Sequence, residues 1–169
     1  MLAYKINSRE IVNQIFIPKY YDPELKRDLS FLEESHSLLS LGDLLDAGDI
    51  TVQTGHEIGK MAYGTGNIPF VRTSDITNWE IKTIPKQGVS EDIYQLYADK
   101  EDVQAGDILL VRDGTYLIGT NCIITSMDIP MVFQSHILKF RIVKEEKLNP
   151  FLIHDDHRSA VCFWYMIFD

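Results

Sequence analysis

The stretch "GDILLVRDG", residues 106–114, constrains the fold more than any other. Four consecutive apolar residues, Ile108 to Val111, stand between two Gly/Asp turn signals. A run this short and this apolar reads as a strand buried on both faces. A second strand is expected over residues 117–125, "LIGTNCIIT", after a turn that Gly114 can enter with positive φ. In "HILKFRIV", Leu138, Phe140 and Ile142 alternate with Lys139 and Arg141, which predicts a half-buried strand with a basic outer face. Shorter strands are expected over residues 50–54, 68–73 and 79–83, with a glycine-rich loop over 55–67.

Helical signals are few. Residues 8–15 read as a short helix with Ser8 as N-cap, and residues 24–31 as one turn inside a connector over 18–37. Residues 40–49 read as a short helix with Leu41, Leu44 and Leu45 on one face, closed by Gly48. Residues 90–98 read as a helix with Ile93, Leu96 and Tyr97 inward. The pattern predicts an α+β domain: a mixed, mostly antiparallel, curved sheet with a few short helices. Three regions are expected: a connector over 1–37, the main domain over 38–152, and an atypical tail over 153–169. No apolar run reaches the ~18 residues that span a membrane, and two cysteines, Cys122 and Cys162, make no disulfide framework. A cytoplasmic location is the expectation.

Most catalytic readings lack their residues. Gly114 and Gly119 have the spacing of a phosphate-binding loop, but Thr120 stands where the lysine belongs. Asp128 with Glu145, Glu146 and Lys147 loosely imitates a magnesium-dependent nuclease set, on what reads as a charged turn. His154 and His157 have metal-ligand spacing without further ligands nearby. Cys122 lies in an apolar run and reads as a small buried hydrophobe. Six prolines are present and none adjoins another, so the Pro-Pro motif of adenine methyltransferases is absent. No cofactor and no metal are expected.

Three polar clusters on the rims of the β scaffold remain. The first holds Arg72, Thr73, Ser74, Asp75 and Asn78; the second Arg112, Asp113, Thr115 and Tyr116; the third Gln134, Ser135 and His136. Arg suits guanine or phosphate, Asn suits adenine, and Ser and Thr suit either groove or backbone. The same residue types also make ordinary turns. The net charge of −9 opposes DNA binding, but it is unevenly spread: residues 1–50 carry four more acids than bases, and residues 112–144 carry two more bases than acids. A basic face that includes Lys60, Arg72, Arg112 and Lys139 is therefore expected, since phosphate binding follows local charge.

The ordered set "IPFVRTSDI", "GDILLVRDGTYLIG" and "QSHILKFRIV", with the lead-in "LGDLLDAGDITVQTG", resembles the target recognition domains of type I restriction-modification specificity subunits. The resemblance covers about two thirds of the chain, residues 40–151. It implies a non-catalytic reader of double-stranded DNA that recognises one half of a bipartite site. It also implies two protein partners, the modification (methyltransferase) subunit and the restriction subunit, which carry the S-adenosylmethionine and ATP chemistry. The chain departs from the family in lacking a second such domain and a heptad run. Two other readings stay open: the detached recognition domain of a fused methyltransferase-nuclease, and a small β-rich enzyme with a site near Arg112, Asp113 and His136.

Overall fold

The computed structural model describes residues 5–11, 21–34, 39–77, 79–82 and 84–144. They divide into two compact units that part between Leu44 and Leu45. In the first, a 3-10 turn at Ser8–Glu10 is capped by the Asn7 side chain, which accepts from Arg9 N. The cap is thus Asn7 and not Ser8, and Ile11 is already extended. Helix α1 (Pro23–Glu33) is longer than the single turn expected. Its start is strongly specified: Asp22 accepts from Glu24 N at 3.0 Å and Pro23 presets the first helical φ. Helix α2 (Leu41–Asp46) begins with a reciprocal box in which Asp43 N donates to Ser40 Oγ and Ser40 N donates to Asp43 Oδ2. Those Ser40 hydrogen bonds hold the Asp43 carboxyl below its usual range. Leu41 and Leu44 are buried, and Gly48 ends the segment at φ +66°.

The second unit is an α+β domain with two sheets. Strands β1 (Ile50–Thr54), β4 (Ile108–Val111), β5 (Asn121–Ile123) and β7 (Ile137–Ile142) form one sheet in the order β1-β7-β4-β5, antiparallel throughout. Strands β2 (Ile68–Val71), β3 (Gly88–Val89) and β6 (Val132–Phe133) form the other, with β2 central, antiparallel to β3 and parallel to β6. The pairing is therefore mixed and mostly antiparallel. The residues expected to form a strand over 79–83 contribute only isolated bridges, Trp79 to Cys122 and Ile76 to Ile81. The strand expected to begin at Leu117 begins at Asn121, because Thr115 to Gly119 form turns that end with Gly119 at φ +89°.

Strands β2 and β6 bind the two halves of the core. Successive side chains of a strand point to opposite faces. Val71 and Phe133 enter a cluster with Leu109, Val111, Cys122 and Ile137, while their neighbours Phe70 and Val132 enter a second cluster with Val89 and Ile58. Helix α3 (Glu91–Glu101) covers the second cluster with Ile93, Tyr94 and Tyr97. Leu96, expected inward, is 65% exposed, because the inward stripe runs through Tyr94 instead. Cys122 is fully buried, and burial pushes its thiol up to about 12. In peptide-resolved iodoacetamide labelling at pH 8, Cys122 should stay unmodified in the native chain and react fully in urea. Rapid native labelling would contradict the packing.

The basic outer face expected of β7 does not exist. Lys139 is 4% exposed, and its ammonium donates to the Glu101 and Asp102 carbonyls at the C-terminal end of α3. Arg141 clasps Asp107 through two hydrogen bonds of 2.7 and 2.8 Å and donates to Asp102 Oδ2 at 2.6 Å. The helix end is negative by its dipole, so two cations from the strand beneath it are well placed. Burial lowers the Lys139 pKa, whereas the Asp107 hydrogen bonds raise that of Arg141. Arg141 likewise holds the Asp102 carboxyl below its usual range. These charges hold α3 to the sheet and supply no free positive field. Among the described residues, no helix is long and apolar enough to cross a membrane.

Candidate nucleic-acid interface

Because β2 and β6 are parallel, they leave their sheet at the same end. Arg72 follows one strand and Gln134 follows the other, and Gln134 N donates to Val71 O at 2.9 Å. On the far side of Gln134 the chain after β1 is laid down in parallel. His56 bridges Gln134, and His56 N donates to Phe133 O at 3.0 Å. Arg112 follows the last residue of β4, and its N donates to His136 O at 2.9 Å. Backbone hydrogen bonds thus gather all three polar clusters, distant in sequence, on one rim.

The side chains on that rim differ in what they can offer. Asp75 is 2% exposed, and its Oδ2 accepts from Arg72 N at 3.1 Å and from Arg72 Nε at 3.2 Å. Its place is inside the 3-10 turn Thr73–Asp75, where it aims Arg72. Ser74 is exposed, Thr73 is half-buried, and the Ser74 carbonyl accepts from Lys82 Nζ. Asn78 lies outside the described residues. Thr115 accepts from Leu117 N at 3.3 Å and shapes the turn that holds Tyr116 94% exposed. Lys60 is exposed on a separate 3-10 turn, Lys60–Ala62.

The second and third clusters meet around His136. Its Nδ1 pairs with Asp113 Oδ1, and Asp113 Oδ2 accepts from Arg112 Nε at 2.5 Å. The His136 hydrogen bond, then that of Arg112, holds the Asp113 carboxyl below its usual range. Gly114, at φ +78°, lets the turn pass close to this ring; a Cβ there would lie 3.1 Å from His136 Nδ1.

Three residues of the rim were not legible as site residues. Glu57 accepts from Ser135 Oγ and lies 3.9 Å from His136 Nε2. His56 Nδ1 is 2.9 Å from Glu101 Oε1, and Glu101 Oε2 accepts from Phe133 N at 2.9 Å. Glu101 is 1% exposed; burial raises its carboxyl pKa, and the His56 hydrogen bond opposes the rise. The "GHE" after β1 was a signal of a strand end carrying polar residues. A buried glutamate closing a solvated-looking helix gives none.

Other chemistry is sparse. Asp128 closes its own turn, accepting from Thr125 N at 2.8 Å and Thr125 Oγ1 at 2.6 Å. Its supposed companions Glu145, Glu146 and Lys147 lie outside the described residues, as do His154, His157, Cys162 and the tail over 153–169. Among the described residues, no group of three or more His, Cys, Asp or Glu side chains is placed to hold a metal ion.

The fold and the rim together define an α+β domain that presents polar side chains from neighbouring strand ends. No protein-family model matches the chain, and no curated protein does. Among solved structures, the chain is similar to one from work described as "Structural basis underlying complex assembly and conformational transition of the type I R-M system". The two superpose with a TM-score of 0.49 at 15% sequence identity, over 86% of this chain and 34% of that one. This chain therefore spans about a third of that chain's length.

Proposed function

We propose that the chain is a sequence-specific DNA-reading module, the target recognition domain of a type I restriction-modification specificity subunit. In this reading residues 38–152 recognise one half of a bipartite site, in the cytoplasm, beside a methyltransferase subunit and a restriction subunit. The chain itself carries out no chemistry. The observation that supports it most is the gathering of Arg72, Arg112, Gln134, Ser135 and His136 on one rim by the Val71–Gln134 and Arg112–His136 backbone hydrogen bonds. Their chemistries are those that contact phosphates and base edges.

The charge on the rim sets the strength expected. Arg112 is paired with Asp113, but both are about two-fifths exposed. Such a pair is worth ~0–1 kcal/mol, so Arg112 can exchange its partner for a phosphate at little cost. Arg72 is more firmly held, because its partner Asp75 is buried. With Lys139 and Arg141 engaged elsewhere, binding by the isolated chain should be weak and sensitive to salt.

The test is fluorescence-anisotropy titration of duplexes recovered from a random library, across a salt series. Arg112→Ala should lower the log–log salt slope by about one if Arg112 meets phosphate. If it reads guanine, it should cost ~1–3 kcal/mol on the selected sequence only. Parent-like affinity on every duplex would remove Arg112 from the interface, and failure of the parent to bind any duplex would end the proposal.

A further inference from the structure

We infer that Glu57 is a specificity residue of this rim and selects a cytosine in the major groove; the inference rests on the DNA-reading proposal. The backbone of Glu57 is fixed from behind. Gly55 N donates to Ile137 O at 3.3 Å and His56 N to Phe133 O at 3.0 Å, so Glu57 leaves the sheet beside Ser135 and His136. Its carboxylate is 57% exposed and is steadied by the Ser135 hydroxyl. A carboxylate has about four lone-pair sites, and the Ser135 bond uses one of them.

An exposed carboxylate on a DNA-facing rim is repelled by every phosphate around it. That repulsion is offset only where the carboxylate meets a donor. On major-groove edges guanine and thymine present acceptors at O6, N7 and O4. Adenine has an amino group, but its N7 acceptor lies beside it and repels a second lone pair. Cytosine alone offers an amino group with a C–H as its neighbour on the ring. Glu57 therefore accepts from cytosine N4 and disfavours the keto bases at that position.

The experiment is a selection from a random duplex library run in parallel on the parent chain and on Glu57→Gln. Because Glu57 is an exposed residue, the variant should melt with the parent. The parent should recover a motif with one C·G pair that depends on Glu57. Glu57→Gln keeps the bond to Ser135 but presents an amide, which pairs with adenine N6 and N7. It should lose about tenfold or more of the cytosine preference at that one position, with the rest of the motif retained. A parent motif without an invariant cytosine, or one that Glu57→Gln leaves unchanged, overturns the assignment while DNA reading stands. A parent that recovers no motif overturns both.

Discussion

Glu101→Ala should lower the unfolding free energy by at least about 1–3 kcal/mol, the cost of leaving a buried polar group without its partner. The carboxylate at the end of α3 joins three parts of the chain: the helix that carries it, His56 after β1, and Phe133 N on β6. Deleting it leaves the amide of a fully buried residue without its acceptor and opens a void beneath the rim. Glu101→Gln keeps an acceptor for Phe133 N and can donate to His56 Nδ1 once that ring takes its other tautomer. It should therefore cost about 1 kcal/mol. Urea unfolding followed by circular dichroism separates the two. A midpoint for Glu101→Ala equal to the parent's would show that the carboxylate contributes nothing to holding the rim.

Gly55→Ala should be at least as damaging, by about 3 kcal/mol at the upper end of what overpacking costs, and should deplete the soluble folded chain. A Cβ at Gly55 would lie 2.2 Å from Phe133 O, 2.6 Å from Gln134 O and 2.6 Å from Phe133 Cδ2. Two of the three obstacles are backbone, so no rotamer change relieves them. The substitution must pry the chain after β1 away from β6, at the place where the polar clusters meet. Gly59→Ala, four residues on, is the control. It has open space around it and ordinary backbone, so it should be neutral or stabilise by ~0.4–1 kcal/mol. Equal soluble yield and equal midpoints for the two variants would refute the close approach.

The sequence made some of this legible and hid the rest for physical reasons. Strand β4 is readable as an unbroken apolar run between turn signals, and β7 as apolar residues alternating with polar ones. Strands β3 and β6, of two residues each, carry no period at all, and they owe their place to partners far along the chain. The polarity of Lys139 suggests exposure, yet it is buried, because alternation shows that a face is polar but not what covers it. The three clusters were visible as residue types. What brings them together is main-chain N–H and C=O groups, which every sequence has in equal measure. Asp75 illustrates the ambiguity: the same Asp in "TSD" serves as surface contact or turn brace, and its burial decides for the brace.

Strand β7 occupies the interior of the four-stranded sheet, yet among the described residues it is the last of seven strands in chain order. Strand β1 emerges from the ribosome about ninety residues before the partner it needs. At ~5–20 residues per second, β1 waits on the order of ten seconds, and β4 waits for a shorter time, each with an unpaired edge. Such late, long-range closure makes for slow maturation and gives nascent chains an interval in which they can pair with one another. Cellular yield should therefore respond to translation speed, growth temperature and chaperone supply, and any fragment that stops short of Ile137 should accumulate as aggregate.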